Sequence, residues 1–188
     1  MTSVARKWFG SRFSELHPEL QKLHTHGGVL SGEVQVQYGT GVGGLLGKRL
    51  GKKLGLPPGA GPTTLKVVIS HTDEAMIWSR QFGGASKAMV SEFTPQGFCG
   101  NGYWSETTSG ITIELAVDIK QGAWHWVQRA TKINNITVPA AVLPIVNAHK
   151  TIIDELYHFE VEITKPVLGL LVRYKGALAG TVNAPTDA

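Results

Sequence analysis

From Val34 onward the chain alternates apolar and polar residues with period two, run after run. Val34, Val36 and Tyr38 alternate with Glu33, Gln35 and Gln37, and Leu65, Val67 and Ile69 with Lys66 and Ser70. Met76, Trp78 and Phe82 share a phase that also holds Arg80. Ile111, Ile113, Leu115, Val117 and Ile119 alternate with Thr112, Glu114, Asp118 and Lys120. Phe159, Val161 and Ile163 alternate with Glu160 and Glu162, and Val172, Tyr174 and Leu178 follow. Successive side chains of a strand point to opposite faces, so each run reads as a strand with one dry face. The breaks between runs carry Gly, Pro, Asn and Asp, as at His71–Glu74, Gly83-Gly84, Thr94–Gly97, Gln121-Gly122 and Lys165-Pro166. Roughly eight to ten strands at such short spacing imply an antiparallel meander. The fold expected is α+β, mostly β: a curved antiparallel sheet or a closed β-barrel. Val138 to His149, bracketed by Pro139 and Pro144, reads as a short helix or a loop.

The first 26 residues differ. Trp8, Phe9, Phe13, Leu16, Leu20 and Leu23 recur at spacings of three and four, an amphipathic helical pattern. Pro18 interrupts it, which predicts two short helices with Ser14 as a cap before the break. His17, His24 and His26 lie at a helix end with no carboxylate or cysteine in phase, so they read as solvated residues rather than metal ligands. The 188 residues suit one domain: helices over 1–26, then a barrel-like body over 28–180 with a covering helix over 41–55.

Charge narrows the partners. The net charge of +4 equals the contribution of Lys48, Arg49, Lys52 and Lys53, so the basic excess is a local patch and not a nucleic-acid-binding character. Cys99 is the only cysteine, which excludes an intrachain disulfide and a thiolate zinc site. No apolar run approaches the roughly 20 residues that span a bilayer, and MTSVARKWFGSRF lacks the apolar core of a signal peptide. The expectation is a soluble, cytoplasmic protein.

Gly39, Gly41 and Gly44 match G-x-G-x-x-G after a strand, the spacing of a dinucleotide cradle. The preceding strand has a solvent face of Glu33, Gln35 and Gln37, whereas parallel Rossmann strands are buried on both faces, and no strand–helix alternation follows. A nucleotide cradle is therefore rejected. On a helix at 100° per residue, Val42, Leu46, Leu50 and Leu54 form an apolar ridge beside a stripe of Gly43, Gly47, Gly51 and Gly55. Such glycines let another backbone approach closely. Three readings compete: the helix covers the barrel with its glycine face inward, lies on an anionic membrane through Lys48, Arg49, Lys52 and Lys53, or is simply a solvated charged face.

Several segments, FSELHPELQKLH, GGVLSGEVQVQYG, the Gly/Leu/basic stretch ending LGLPP, WSRQF and FEVEITKPVLGLLVRYKGALAG, are together similar to an uncharacterised bacterial family, domain of unknown function 4166. The similarity runs from about Phe13 to Gly180, and its most specific pieces are Trp78-x-Arg80-x-Phe82 and Pro166, Gly169, Tyr174 and Gly176. It implies that the Gly/Leu/basic segment is an insertion between the first two strands. It carries no catalytic residues to transfer, and VNAHKTIIDELYHF departs from the family's shorter, Trp-containing approach to the strand.

The chemistry therefore rests on strand phase. Arg80 shares a face with Trp78 and Phe82; if that face is inward, a cation enters an apolar cavity and needs an anion, a ligand group or a partner such as Glu92. In AWHWVQRATKI, His125 and Arg129 lie on one side and Trp124 and Trp126 on the other; the polar side is the one expected inward, joining Arg80. His71, Glu92, Tyr103 and Tyr174 complete the set of ligand-contact and acid–base candidates. No nucleophile elbow, zincin motif or glycosidase carboxylate pair is readable, no cofactor is called for, and a haem on His71, His125 or His149 has no motif behind it. The expected function is binding of a mainly apolar small molecule with a polar or anionic group inside the barrel. The alternatives are an isomerase, cyclase or lyase using His and Arg in that cavity, and a peripheral membrane or interaction module using the basic helix.

Overall fold

The computed structural model describes residues 3–85, 87–108, 111–134, 136–139 and 143–184. Eleven antiparallel strands follow an N-terminal helical segment: β1 Gly28–Tyr38, β2 Gly61–His71, β3 Met76–Phe82, β4 Met89–Gln96, β5 Tyr103–Thr108, β6 Ile111–Lys120, β7 Ala123–Ile133, β8 Ile136–Val138, β9 Ile145–Ile153, β10 Leu156–Lys165 and β11 Gly169–Val182. Their order is β6-β5-β4-β3-β2-β1-β11-β10-β9-β7, and β6 pairs with β7, so ten strands close into a barrel while β8 extends β7 as a hairpin. The alternation read from the sequence is what closes it: closure leaves no free edge and turns every dry face inward. Of the stretch expected to be a helix or loop, Val138 ends β8 and Ile145–His149 begin β9. Pro139, Leu143 and Pro144 between them belong to no strand or helix, and residues 140–142 lie outside the described residues.

Two hairpins explain the register. Gln121 and Gly122 both adopt positive φ, 50° and 80°, as do Asp154 and Glu155 at 49° and 62°. Consecutive left-handed residues give the type I′ turn whose twist matches paired strands. β7 stays paired with β6 along its length, with a bulge at Arg129 between the Glu114 and Leu115 registers. Its other edge passes from β8 at Thr131–Ile133 to β9, pairing Trp124 with Lys150 and Trp126 with Ala148.

The N-terminal segment plugs one end of the barrel. It consists of α1 (Val4–Phe9), a 3-10 turn (Gly10–Glu15) and α2 (Pro18–His26). Trp8, Phe9, Phe13, Leu16, Leu20 and Leu23 are all buried, each contributing about 1.5–3 kcal/mol of apolar burial. Trp8 Nε1 donates to the Gln96 carbonyl at 3.2 Å, and the His17 amide donates to Gly122 O at 3.0 Å. The expected cap at Ser14 is corrected. His17 caps α2, its Nδ1 accepting from the Glu19 amide, because Pro18 occupies the first helical turn and has no amide hydrogen of its own to cap.

At the opposite end α3 (Gly41–Lys53) follows β1 and packs on the start of β11. Its buried residues are glycines: Gly43, Gly44, Gly47 and Gly51. A Cβ on Gly43 would lie 2.7 Å from Leu168 O, and one on Gly47 would overlap the Leu171 carbonyl. The stripe is thus a close backbone approach of helix to strand. Leu46, Leu50 and Leu54 pack against the core, but Val42, expected on the same ridge, is 62% exposed. Gly43 and Gly44 take the packed side of that first turn, against Leu168, Leu170 and Gly39, which leaves Val42 and Leu45 on the outer side.

Candidate functional site

The β3 phase carries a cation into the barrel. Arg80 pairs across to Val67 on β2 and Met89 on β4, which fixes it on the inner face with Trp78 and Phe82. Its guanidinium donates to Tyr174 Oη at 3.4 Å and to Ser91 Oγ, and forms an ion pair with Glu106 Oε1 at 3.5 Å. Glu106 reaches this position because it pairs with Phe93 on β4, placing it on the same inner face as Trp104. Arg80 is therefore held by a carboxylate and two hydroxyls, with its Nε buried and unpartnered.

A second cation lies deeper. Lys150 on β9 is buried, in phase with Val146 and Ala148, and its register partners Trp124 and Phe159 set it inward. Its Nζ is 2.8 Å from His24 Nε2 and lies over the rings of Trp124, Trp78 and Trp126 at 3.6, 4.5 and 5.6 Å. No carboxylate pairs with it among the described residues. Burial pushes the Lys150 ammonium well below the usual lysine range, because the charged form is the one that loses hydration. His24 is lowered for the same reason first and by nearby Lys150 second. His71, inward on β2, is also lowered: its burial outweighs the opposing influence of the Leu23 backbone. Both the Lys150 and the His24 shifts run toward the uncharged forms, amine and imidazole.

Between the two cations lies a cavity of about 80 Å³. Arg80, Glu106, Lys150 and Tyr157 bring polar groups to it, and Trp78, Phe93, Trp126 and Phe159 give it aromatic walls. Burial raises the Tyr157 and Tyr174 hydroxyls, so both stay protonated. An amine, a guanidinium, a carboxylate and a phenol around this cavity can orient an oxygen function and move a proton to or from it.

Several expectations are redistributed. Trp78, Arg80, Phe82 and Tyr174 face inward, on β3 the face that the sequence left open, and His71 points into the plugged end. His125 and Arg129 do not: the tryptophans of β7 are buried, so the polar side is the outer one. There His125 stacks on His149 at 5.3 Å, and Arg129 lies over the Tyr103 ring and donates to Asn101 O. Tyr103 is outward because its neighbour Trp104 takes the interior. Glu92 is exposed, between inward Ser91 and Phe93, so it neither pairs with Arg80 nor reaches the cavity. His24, read as solvated, is fully buried because it lies one helical turn from Leu20, on the face that α2 turns to the barrel. Lys150, Glu106, Ser91 and Tyr157 were not singled out by sequence reasoning. The legible signals were Val146, Ala148, Lys150 and Ile152 in one phase, and Glu106 in phase with Trp104.

The chain belongs to the family described as domain of unknown function (DUF4166), whose model matches residues 16–178. No curated protein matches the chain. The matched span contains every residue that lines the cavity and leaves α1 outside. No helix among the described residues is long and apolar enough to cross a membrane.

Proposed function

We propose that the barrel binds a small, mainly apolar molecule carrying one polar or anionic group, in the cavity between Arg80 and Lys150. What supports this is one observation: Lys150, without a carboxylate partner among the described residues, is buried at the wall of the cavity. A buried cationic group with no protein counter-ion costs folding energy unless it is neutral or supplied with an anion, so its retention there points to use. The cavity is well under the 300–1,000 Å³ of a drug-sized site. The ligand is therefore a molecule of few carbons, or the functional end of a longer one. Because Trp78 and Trp126 form the walls, titration with short-chain carboxylates, aldehydes and alcohols is expected to change tryptophan fluorescence saturably for at least one class. Lys150→Met is expected to weaken that response tenfold or more, about 1.4 kcal/mol. A flat titration across all three classes would overturn the proposal.

A second reading has its own observation. With its glycine face on β11, α3 leaves Val42 at 62% and Leu45 at 56% exposure, on the helix that carries Lys48, Arg49, Lys52 and Lys53. Apolar side chains beside lysines suit an anionic bilayer surface. Binding to phosphatidylserine vesicles that falls with salt and vanishes when the four cations become glutamine is the expected result; equal binding to neutral vesicles would contradict it.

A further inference from the structure

Within the binding role proposed above, we infer that Lys150 is a nucleophile that captures a small aldehyde or ketone as an imine. Three features of the geometry carry this. The first is the setting of the amine: Trp78, Trp124 and Trp126 surround Nζ, and its polar neighbour is a histidine rather than a carboxylate. A carboxylate would hold the ammonium form and quench the lone pair, whereas the full burial of Lys150 favours the free amine, the form that attacks carbonyl carbon. The second is access, since Lys150 lines the same cavity as Arg80 and Tyr157. The third is the arrangement of proton-handling groups: His24 Nε2 at 2.8 Å from Nζ, and Glu106 and Tyr157 at the cavity wall.

The reaction closes on its own atoms. The Nζ lone pair bonds to the carbonyl carbon while the C=O π pair moves to oxygen. Nitrogen gives up one proton, which His24 is placed to accept, and the oxygen takes up one proton, giving a carbinolamine. The C–O bond then breaks as the oxygen takes a further proton and departs as water. The nitrogen pair forms C=N, and the nitrogen releases its remaining proton, replacing the one the oxygen took. The sum is amine plus carbonyl to imine plus water, with no oxidant or reductant. Arg80, a donor at the far side of the cavity, suits an oxygen-bearing group at the other end of the carbonyl compound. A 2-oxo acid or a short hydroxyaldehyde fits this pattern as well as the size of the cavity.

The experiment uses butanal and pyruvate as probes with the intact chain at neutral pH, in the presence of cyanoborohydride, which reduces an imine to a stable secondary amine. Peptide mapping by mass spectrometry then locates the adduct, and tryptophan fluorescence reports binding of the same probes without reductant. One adduct per chain at Lys150, formed at least about tenfold faster than on the α3 lysines and absent in Lys150→Met, is the expected result. Saturable fluorescence change without an adduct at Lys150 overturns the imine while the binding role stands. Neither adduct nor fluorescence change overturns both. Because the adduct is mapped in the unsubstituted chain, the outcome does not depend on how well the variant folds.

Discussion

Lys150→Met is expected to gain on the unsubstituted protein as pH descends from about 10, by about 1.4 kcal/mol per pH unit until the folded-state value of Lys150 is passed. The sign follows from where the proton goes. In the unfolded chain the ammonium titrates near the ordinary lysine value, about 10.4, whereas burial holds the folded-state value well below it. Between those two values the unfolded state binds the extra proton, so stability of the unsubstituted protein falls as pH falls and the fall stops only below the folded value. Methionine has a similar length and no proton to bind, so its stability lacks this slope. His24 and His71, both lowered by burial, add a further loss below about pH 6.5, where the unfolded chain takes up protons that the folded one refuses. Tyr157 and Tyr174 act in the opposite direction: their raised values mean stability is lost as pH rises through about 10, where the unfolded phenols ionise first. The protein is thus expected to be most stable on the alkaline side of neutrality. Urea denaturation of both proteins across that pH range measures the slope. Parallel stability curves would contradict a buried, neutral Lys150.

Glu106→Leu is expected to destabilise the protein by about 3–5 kcal/mol, because it strips the buried Arg80 of its carboxylate. The side chains of the pair are only 13% and 20% exposed, so solvent compensates little. Ser91 and Tyr174 still accept from the guanidinium, but hydroxyls do not neutralise it. Adding Arg80→Met to Glu106→Leu is expected to recover most of the loss, since replacing both members of a buried pair by apolar groups is often neutral. Chemical denaturation of the two single variants and the double variant gives the coupling directly. Additive costs would mean that Arg80 and Glu106 do not act as a pair.

The barrel was legible because its strands repeat one rule, apolar in and polar out, and because Gly and Pro mark most of the turns. β9 escaped that rule for a physical reason: its inner face holds a lysine and a small alanine, and its hairpin turn uses Asp154-Glu155 where Asn-Gly would have announced it. The same lysine that hides the strand makes the site. Arg80 was readable because one charge stood in an otherwise aromatic phase; Lys150 stood in an equivalent position, in a segment whose strand character went unseen. β7 misled in the other direction. Tryptophan and histidine alternate there, both compatible with a cavity wall, and only the packing of Phe9 at 4.7 Å from Trp124 decides which face the plug covers. Of the glycine stripe read on α3, Gly43 and Gly47 do meet a backbone, that of Leu168–Leu171. Gly51 meets the Tyr38 ring instead, and Gly55 lies past the end of the helix, where a Cβ would meet nothing among the described residues.

Imine capture at Lys150 depends on a neutral amine inside the barrel, and that can be observed without any ligand. With lysine labelled at Cε, the carbon shift of Lys150, assigned by its disappearance in Lys150→Met, reports its protonation as pH is varied. Titration well below the ordinary lysine value of about 10.4, moved by a carbonyl or carboxylate probe, is the predicted result. Titration at the ordinary value, indifferent to both probes, would contradict it.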